Sequence, residues 1–512
     1  MVILKRVMVF SVALICLSIS SPAQLSTVQT QSGKVSGYTG TGGINIFKGI
    51  PFAAPPVGDL RWSAPQPAVP WEGVRKCTAF GPSPMQNPPM PFSMWTTEFL
   101  IPKEPISEDC LYLNVWTGAR TSKEKRPVLV WIYGGGFSSG GAACPIYDGE
   151  ALAAKGIVIV SINYRVGIFG FFAHPELSRE TGSSGNYGLM DQIAALQWVK
   201  KNIASFGGDP ANVTIAGQSA GSFSVNCLVA SPLAAGLFNK AIAESGASFV
   251  TDRLSTRLKD AEGNGKKLAA SIGANTLKDL RAIPAAELLK KGTWISAPII
   301  DGKVLPSTIA EIFKDGKQND VALLTGWNQD EGLLFGPVQT AEEYRKQMGV
   351  QFGANADRIL EFYPAKDDAE AARSQLDLSR DQIFGMQQFV WATIQSSQNK
   401  KVYVYRFTRK VPARGEYIKY GAFHTGEVPY AFNNLKFVDR PWEAQDHELA
   451  ELMSDYWVNF VRSGDPNRKG LPEWPVYDNH TNMVMMLGPE KKAVPMPDAK
   501  ALAVLAEVMG SK

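Results

Sequence analysis

An α/β fold with a central, mostly parallel sheet flanked by helices is the class this sequence predicts. Three observations carry it. Continuous apolar runs stand where strands buried on both faces belong, helix-spaced patterns separate those runs, and a glycine-flanked serine occupies one strand-to-helix junction.

Taken in chain order, the first part is loop-rich. Gly40 to Gly43 reads as a hairpin turn, and Pro-rich stretches at 51–70 and 82–91 read as ordered loops. Pro127-Val-Leu-Val-Trp-Ile-Tyr133 and Gly156-Ile-Val-Ile-Val-Ser-Ile162 are apolar throughout, as strands covered on both faces must be. Asp191, Ile193, Ala194, Leu196, Gln197, Val199 and Lys200 then follow helical spacing. Val213 to Ala216 is a short strand ending at Gly217, and Ser222 to Leu228 continues as a helix. Residues 255–380 read as a large helical insertion, with charged helical stretches at Ala269–Ala282 and Ala341–Arg358 around strand-like Ala297–Ile300 and Val321–Trp327. Val402 to Arg406 alternates like a late strand. Leu449, Met453, Tyr456, Trp457 and Phe460 share one face of a final amphipathic helix over Glu448–Arg462.

The composition excludes several classes. Across 512 residues the net charge is only +4, without the strongly basic balance of a nucleic-acid binder, and a 45% hydrophobic content is enough for a sizeable core. Lys5 and Arg6 followed by the apolar run Val7–Ile19 and by Ser21-Pro22-Ala23 read as a signal peptide over residues 1–23, so the mature chain starts near Gln24. No later run reaches the roughly 18 apolar residues of a membrane span. The expectation is an exported protein without a stable membrane anchor, residues 24–512 forming a single domain. Cys16 leaves with the leader; Cys77, Cys110, Cys144 and Cys227 remain for an oxidising compartment. No metal-ligand spacing and no cofactor motif appears among the four histidines and the cysteines.

Gly217-Gln218-Ser219-Ala220-Gly221 is a G-x-S-x-G motif in the strand–turn–helix context that makes it informative. Its sharp turn lifts the Ser219 hydroxyl above the sheet, and the glycines let backbone pack close around it. A serine hydroxyl needs a neighbouring base. His447 reads as a solvated helix face, His174 and His480 as loop residues; His424, in a small-residue loop past the strand Val402–Arg406, is the candidate. The imidazole needs a carboxylate to fix its tautomer. Asp330 and Glu331 follow the strand Val321–Trp327, and spacing alone does not choose between them. Gly134, Gly135 and Gly136, just past another strand, leave backbone N–H groups free to meet an oxyanion together with that of Ala220. The glycosylation triplet Asn212-Val-Thr214 overlaps a buried strand and reads as unmodified.

Several blocks, in this order, resemble the type-B carboxylesterases, the carboxylesterase/lipase/cholinesterase family: Phe47-Lys-Gly-Ile-Pro-Phe-Ala-Ala-Pro-Pro-Val-Gly58, Glu108-Asp-Cys-Leu-Tyr-Leu-Asn-Val115, Trp131-Ile-Tyr-Gly-Gly-Gly-Phe137, Asn163-Tyr-Arg-Val-Gly167, Gly185-Asn-Tyr-Gly-Leu-Met-Asp-Gln192, Phe206-Gly-Gly-Asp-Pro210 and the serine motif. The resemblance implies an α/β-hydrolase fold and a serine esterase acting on small-molecule esters. It implies Glu331 as the triad acid, Gly135, Gly136 and Ala220 as oxyanion donors, Ser245 as a serine beside the acid, and a Cys77–Cys110 disulfide. Cys144 and Cys227 are then expected as free thiols. Gln218 stands where many choline-specific members carry an acid, which argues against a cationic substrate. Trp95, Phe137, Trp327 and Phe335 are the expected aromatic lining of the pocket.

Overall fold

The computed structural model describes residues 25–250, 254–292, 295–332 and 337–510. The signal peptide expected at 1–23 and the pocket residue Phe335 lie outside the described residues.

An eleven-stranded sheet organises the chain. Its strands are β1 (Tyr38–Thr39), β2 (Asn45–Pro51), β3 (Tyr112–Thr117), β4 (Arg126–Ile132), β5 (Val158–Ile162), β6 (Gly208–Gln218), β7 (Lys240–Glu244), β8 (Ala322–Asn328), β9 (Val402–Phe407), β10 (Met483–Leu487) and β11 (Lys491–Pro495). They lie side by side in the order β1-β2-β3-β5-β4-β6-β7-β8-β9-β10-β11. From β5 across to β10 every pairing is parallel, while both margins turn antiparallel. The central strands are buried on both faces because helices cover each side, which is why Val128 to Ile132 and Val158 to Ile162 read as unbroken apolar runs. Four helices matter for the site: α1 (Tyr187–Asn202), α2 (Ala220–Ala230), α3 (Val428–Ala431) and α4 (Ala444–Ser463).

The segment between β7 and β9 is mainly helical, as its charge pattern predicts. Thr276, Thr308 and Thr340 each start a helix with a reciprocal capping box. Ala297–Ile300 is not a strand: Ile300 makes one isolated bridge to Arg257, so the run is apolar because it packs, not because it pairs. Among the described residues no helix is long and apolar enough to cross a membrane.

The disulfide implied by resemblance is a correction. Cys77 and Cys110 are separate, buried thiols, as are Cys144 and Cys227. The Cys77 carbonyl accepts from Lys48 N–H, whereas the carbonyl of Leu111, next to Cys110, accepts from Phe52 N–H. The two cysteines are thus held beside different points of the 48–52 segment, and neither is bonded to the other.

Candidate active site

The C-terminal ends of β6, β7 and β8 and the loop after β9 converge at one edge of the sheet. β6 delivers Ser219 into a turn with φ 56° and ψ −125°, a conformation that costs a non-glycine residue on the order of 1–3 kcal/mol. The flanking glycines are there for space. A Cβ on Gly221 would come within 2.0 Å of the Ile132 carbonyl oxygen, and one on Gly217 within 2.5 Å of Gly221. Ser219 N–H donates to the Glu244 carbonyl at 2.9 Å, tying the turn to β7. The side chain stands half-exposed at the N-terminus of α2, between buried Gln218 and Ala220.

The glycine loop after β4 backs onto this turn: a Cβ on Gly134 would meet the Gln218 carbonyl oxygen at 2.7 Å and Ser219 Cβ at 3.0 Å. Gly135, Gly136 and Phe137 all have positive φ, and the Gly135 carbonyl is turned away to accept from Ser138 and Ser139. The N–H groups of Gly135, Gly136 and Ala220 have no acceptor among the described residues. Three unspent donors beside a hydroxyl are what a developing oxyanion requires.

Spacing left the acid open between two neighbours; the geometry separates them. Glu331 is fully buried, and its Oε2 lies 2.8 Å from His424 Nδ1. Its Oε1 accepts from Ser245 Oγ at 3.0 Å and from Asn328 N–H at 2.8 Å. Asp330 points elsewhere: it exchanges two hydrogen bonds with the Ala422 backbone and so anchors the loop that carries His424.

His424 is 3% exposed and held on several sides. Phe384 stacks on the imidazole, centroids 4.5 Å apart and planes at 17°. Trp95 meets it edge-on at 6.3 Å and donates from Nε1 to Thr425 Oγ1 at 3.1 Å. The Gln218 side-chain amide nitrogen lies 3.3 Å from Nε2 and 3.4 Å from Nδ1. Ser219 Oγ itself makes no hydrogen bond to a described residue; contacts of this kind often tighten only when substrate arrives. The other histidines do what their context suggests: His174 caps a short helix, and His447 and His480 face solvent.

The aromatic expectations divide. Trp95 is at the site. Phe137 sits at the base of the glycine loop and packs against Phe171. Trp327 is a correction: it is fully buried under the Arg406 guanidinium and lines a separate cavity of about 210 Å³ with Gln329, Arg380 and Asp498. Strand alternation turns it to the face opposite Gly326 and Asn328. Sequence reasoning missed Asn328 and Phe384. Asn328 donates to the Phe423 carbonyl at 2.8 Å and contacts Glu427; Phe384 arrives on a π-helical turn, Asp381–Gly385, a distortion that often marks functional sites.

Comparison with known proteins places the chain in a family. The family model described as Carboxylesterase family matches residues 24–503. A fumonisin B1 esterase of Sphingopyxis macrogoltabida is 39% identical over 474 residues, 88% of this chain and 84% of that one. A para-nitrobenzyl esterase of Bacillus subtilis (strain 168) is 37% identical, covering 90% of this chain and 95% of its own length. A solved PNB esterase superposes with a TM-score of 0.81 at 33% identity, over 94% of this chain and 99% of that one. A sheet of this order, a serine on a strained turn after β6 and matches that run almost end to end lead to one conclusion: this chain belongs to the carboxylesterase family and is a carboxylic ester hydrolase of α/β-hydrolase fold.

Proposed function

We propose that the chain is an exported serine carboxylesterase whose single catalytic domain spans residues 24–512, with Ser219 as nucleophile, His424 as general base and then acid, and Glu331 as the carboxylate that orients His424. The observation that carries this reading is the 2.8 Å contact between His424 Nδ1 and Glu331 Oε2 beside the Ser219 turn. Glu331 accepts the Nδ1 proton, which leaves the Nε2 lone pair facing the nucleophile. Ser219 Oγ bonds to the ester carbonyl carbon while its proton passes to Nε2, and the carbonyl electron pair becomes an oxyanion against the N–H groups of Gly135, Gly136 and Ala220. Collapse expels the alkoxide, which takes the proton from His424. Water, deprotonated by the same imidazole, then releases the acyl group as a carboxylic acid and regenerates Ser219.

The neutral Gln218 beside the nucleophile and the aromatic Trp95 beside the base support an uncharged small-molecule ester as substrate. Ser219→Ala in purified protein is expected to lose ester hydrolysis by several orders of magnitude and to lose labelling by an organophosphate. Retention of either near the parent level refutes the assignment. A panel of p-nitrophenyl esters of rising acyl length reads the acyl preference.

A further inference from the structure

Three glutamates are fully buried behind the site: Glu244, Glu331 and Glu427. Glu331 is engaged by His424 Nδ1, Ser245 Oγ and Asn328 N–H. The other two make no ion pair among the described residues, and their hydrogen-bonding partners are neutral. Trp457 Nε1 donates to Glu244 Oε1 at 2.7 Å, and the Asn328 amide donates to Glu427 Oε2. Glu244 Oε2 and Glu427 Oε1 are each left without a donor.

Register and the hydrogen bonds to Asn328 and Trp457 bring these two side chains to the same side of the sheet. Glu244 aligns with Gly326 and Gly326 with Tyr405, so Glu244, Asn328 and Tyr405 face the same side of the sheet. The Tyr405 ring lies over Gly326, so closely that a Cβ there would strike it at 2.4 Å. Trp457 of α4 closes the space from above, 5.4 Å from the Tyr405 ring, and Glu427 enters it from the start of α3. Two ionised carboxylates cannot share such a place without a cation.

We propose that Glu427 is a positioning residue that works as a neutral carboxylic acid: its Oε1 hydroxyl donates to Glu244 Oε2, and its Oε2 holds the Asn328 amide. Asn328 is the hub that makes this matter, because its N–H holds Glu331 and its side chain holds the carbonyl of Phe423, the residue before His424. The groups facing the pair are Glu331 and His424 on the site side and the phenols of Tyr405 and Tyr147, both kept protonated by burial. Arg406, on the other face of β9, acts on Glu331 and not on this pair. Burial pushes both glutamates up, and the neighbouring Glu244 and Glu331 carboxylates raise Glu427 further: Glu427 lies well above the usual carboxylate range and Glu244 at about 8.

The proposal rests on the triad reading, and its test separates the two. In the full-length protein, Glu427→Ala is expected to lower kcat by about 30- to 100-fold with KM changed less than about threefold, as for a buried network losing one member. Glu427→Gln, which keeps a donor and an acceptor in the same places, is expected to recover most of that loss. The acid limb of kcat/KM stays where it is in the Gln variant, because no charge has been removed. Infrared spectra of the parent should contain a buried protonated-carboxyl band that Glu427→Gln removes. The proposal fails if Ala keeps the parent kcat, if Gln behaves like Ala, if the Gln variant's acid limb moves down, or if no such band is lost. Should the Ala variant not fold, the Gln pH profile and the infrared band decide. The infrared result stands whatever Ser219→Ala does, so an error in the triad assignment leaves a different signature.

Discussion

Replacing Glu331 with Gln changes one oxygen into an NH2 group, and the structure dictates which one. Ser245 Oγ and Asn328 N–H both donate to Oε1, so the amide must keep its carbonyl oxygen there. The NH2 then faces His424 Nδ1 in place of the acceptor 2.8 Å away. A donor opposite Nδ1 selects the tautomer with the proton on Nε2, and that nitrogen can no longer take the serine proton. The imidazolium formed in the transition state also loses its counter-charge. Together these are worth about 10³–10⁴ in kcat, or roughly 4–5 kcal/mol of barrier. Asp330→Asn is the control, because among the described residues Asp330 bonds the Ala422 backbone and not His424; it is expected to cost about 1 kcal/mol of stability and less than about tenfold in rate. Initial rates on p-nitrophenyl acetate, with thermal unfolding followed by circular dichroism, measure both. Equal losses at the two positions, or a larger loss at Asp330, would refute the assignment of the acid.

Ser245→Ala removes one of three hydrogen bonds to Glu331 and should lower kcat about five- to tenfold with little change in KM, measured in the same assay. Ser219→Gly should abolish activity and yet raise the unfolding temperature, because glycine adopts φ 56°, ψ −125° without strain; a lower melting point than the parent contradicts that strain argument. Glu244, raised to about 8 by burial, binds a proton in the folded chain that the unfolded chain releases near its ordinary value. Its stabilising contribution is therefore complete at acid pH and drains away as pH rises from about 4.5 to about 8. Unfolding temperatures across that window should fall less steeply for Glu244→Gln than for the parent, and parallel curves would sink the argument.

The sequence was most legible where one physical rule acts alone. Strands covered on both faces have no choice but to be apolar, so the runs at 127–133 and 156–162 gave β4 and β5 within two residues, and the charged helical pattern from Ala341 gave the helix that starts there. Legibility failed where two rules produce one pattern. Ala297–Ile300 is apolar like a strand but is packed without pairing. The family resemblance implied a Cys77–Cys110 pair, and the structure holds the two as free, buried thiols. Trp327 looks like a pocket residue until strand alternation sends it to the opposite face.

The site divides along the same line. Glycines around Ser219 are readable because steric exclusion is absolute: nothing larger fits 2.0 Å from the Ile132 carbonyl oxygen, so Gly221 has no alternative. Carboxylates are not readable in that way. Asp330 and Glu331 are adjacent, alike in charge and both engaged with the His424 loop, and what distinguishes them is which side of one turn each faces. Glu244, Glu427 and Asn328 leave no spacing signature at all, since they meet only through the register of β7, β8 and β9 and the docking of α3 and α4 above them. The Ser219 turn is written locally, in five residues. The carboxylate arrangement behind His424 is written in strand register, across about 180 residues of chain that no local pattern spans.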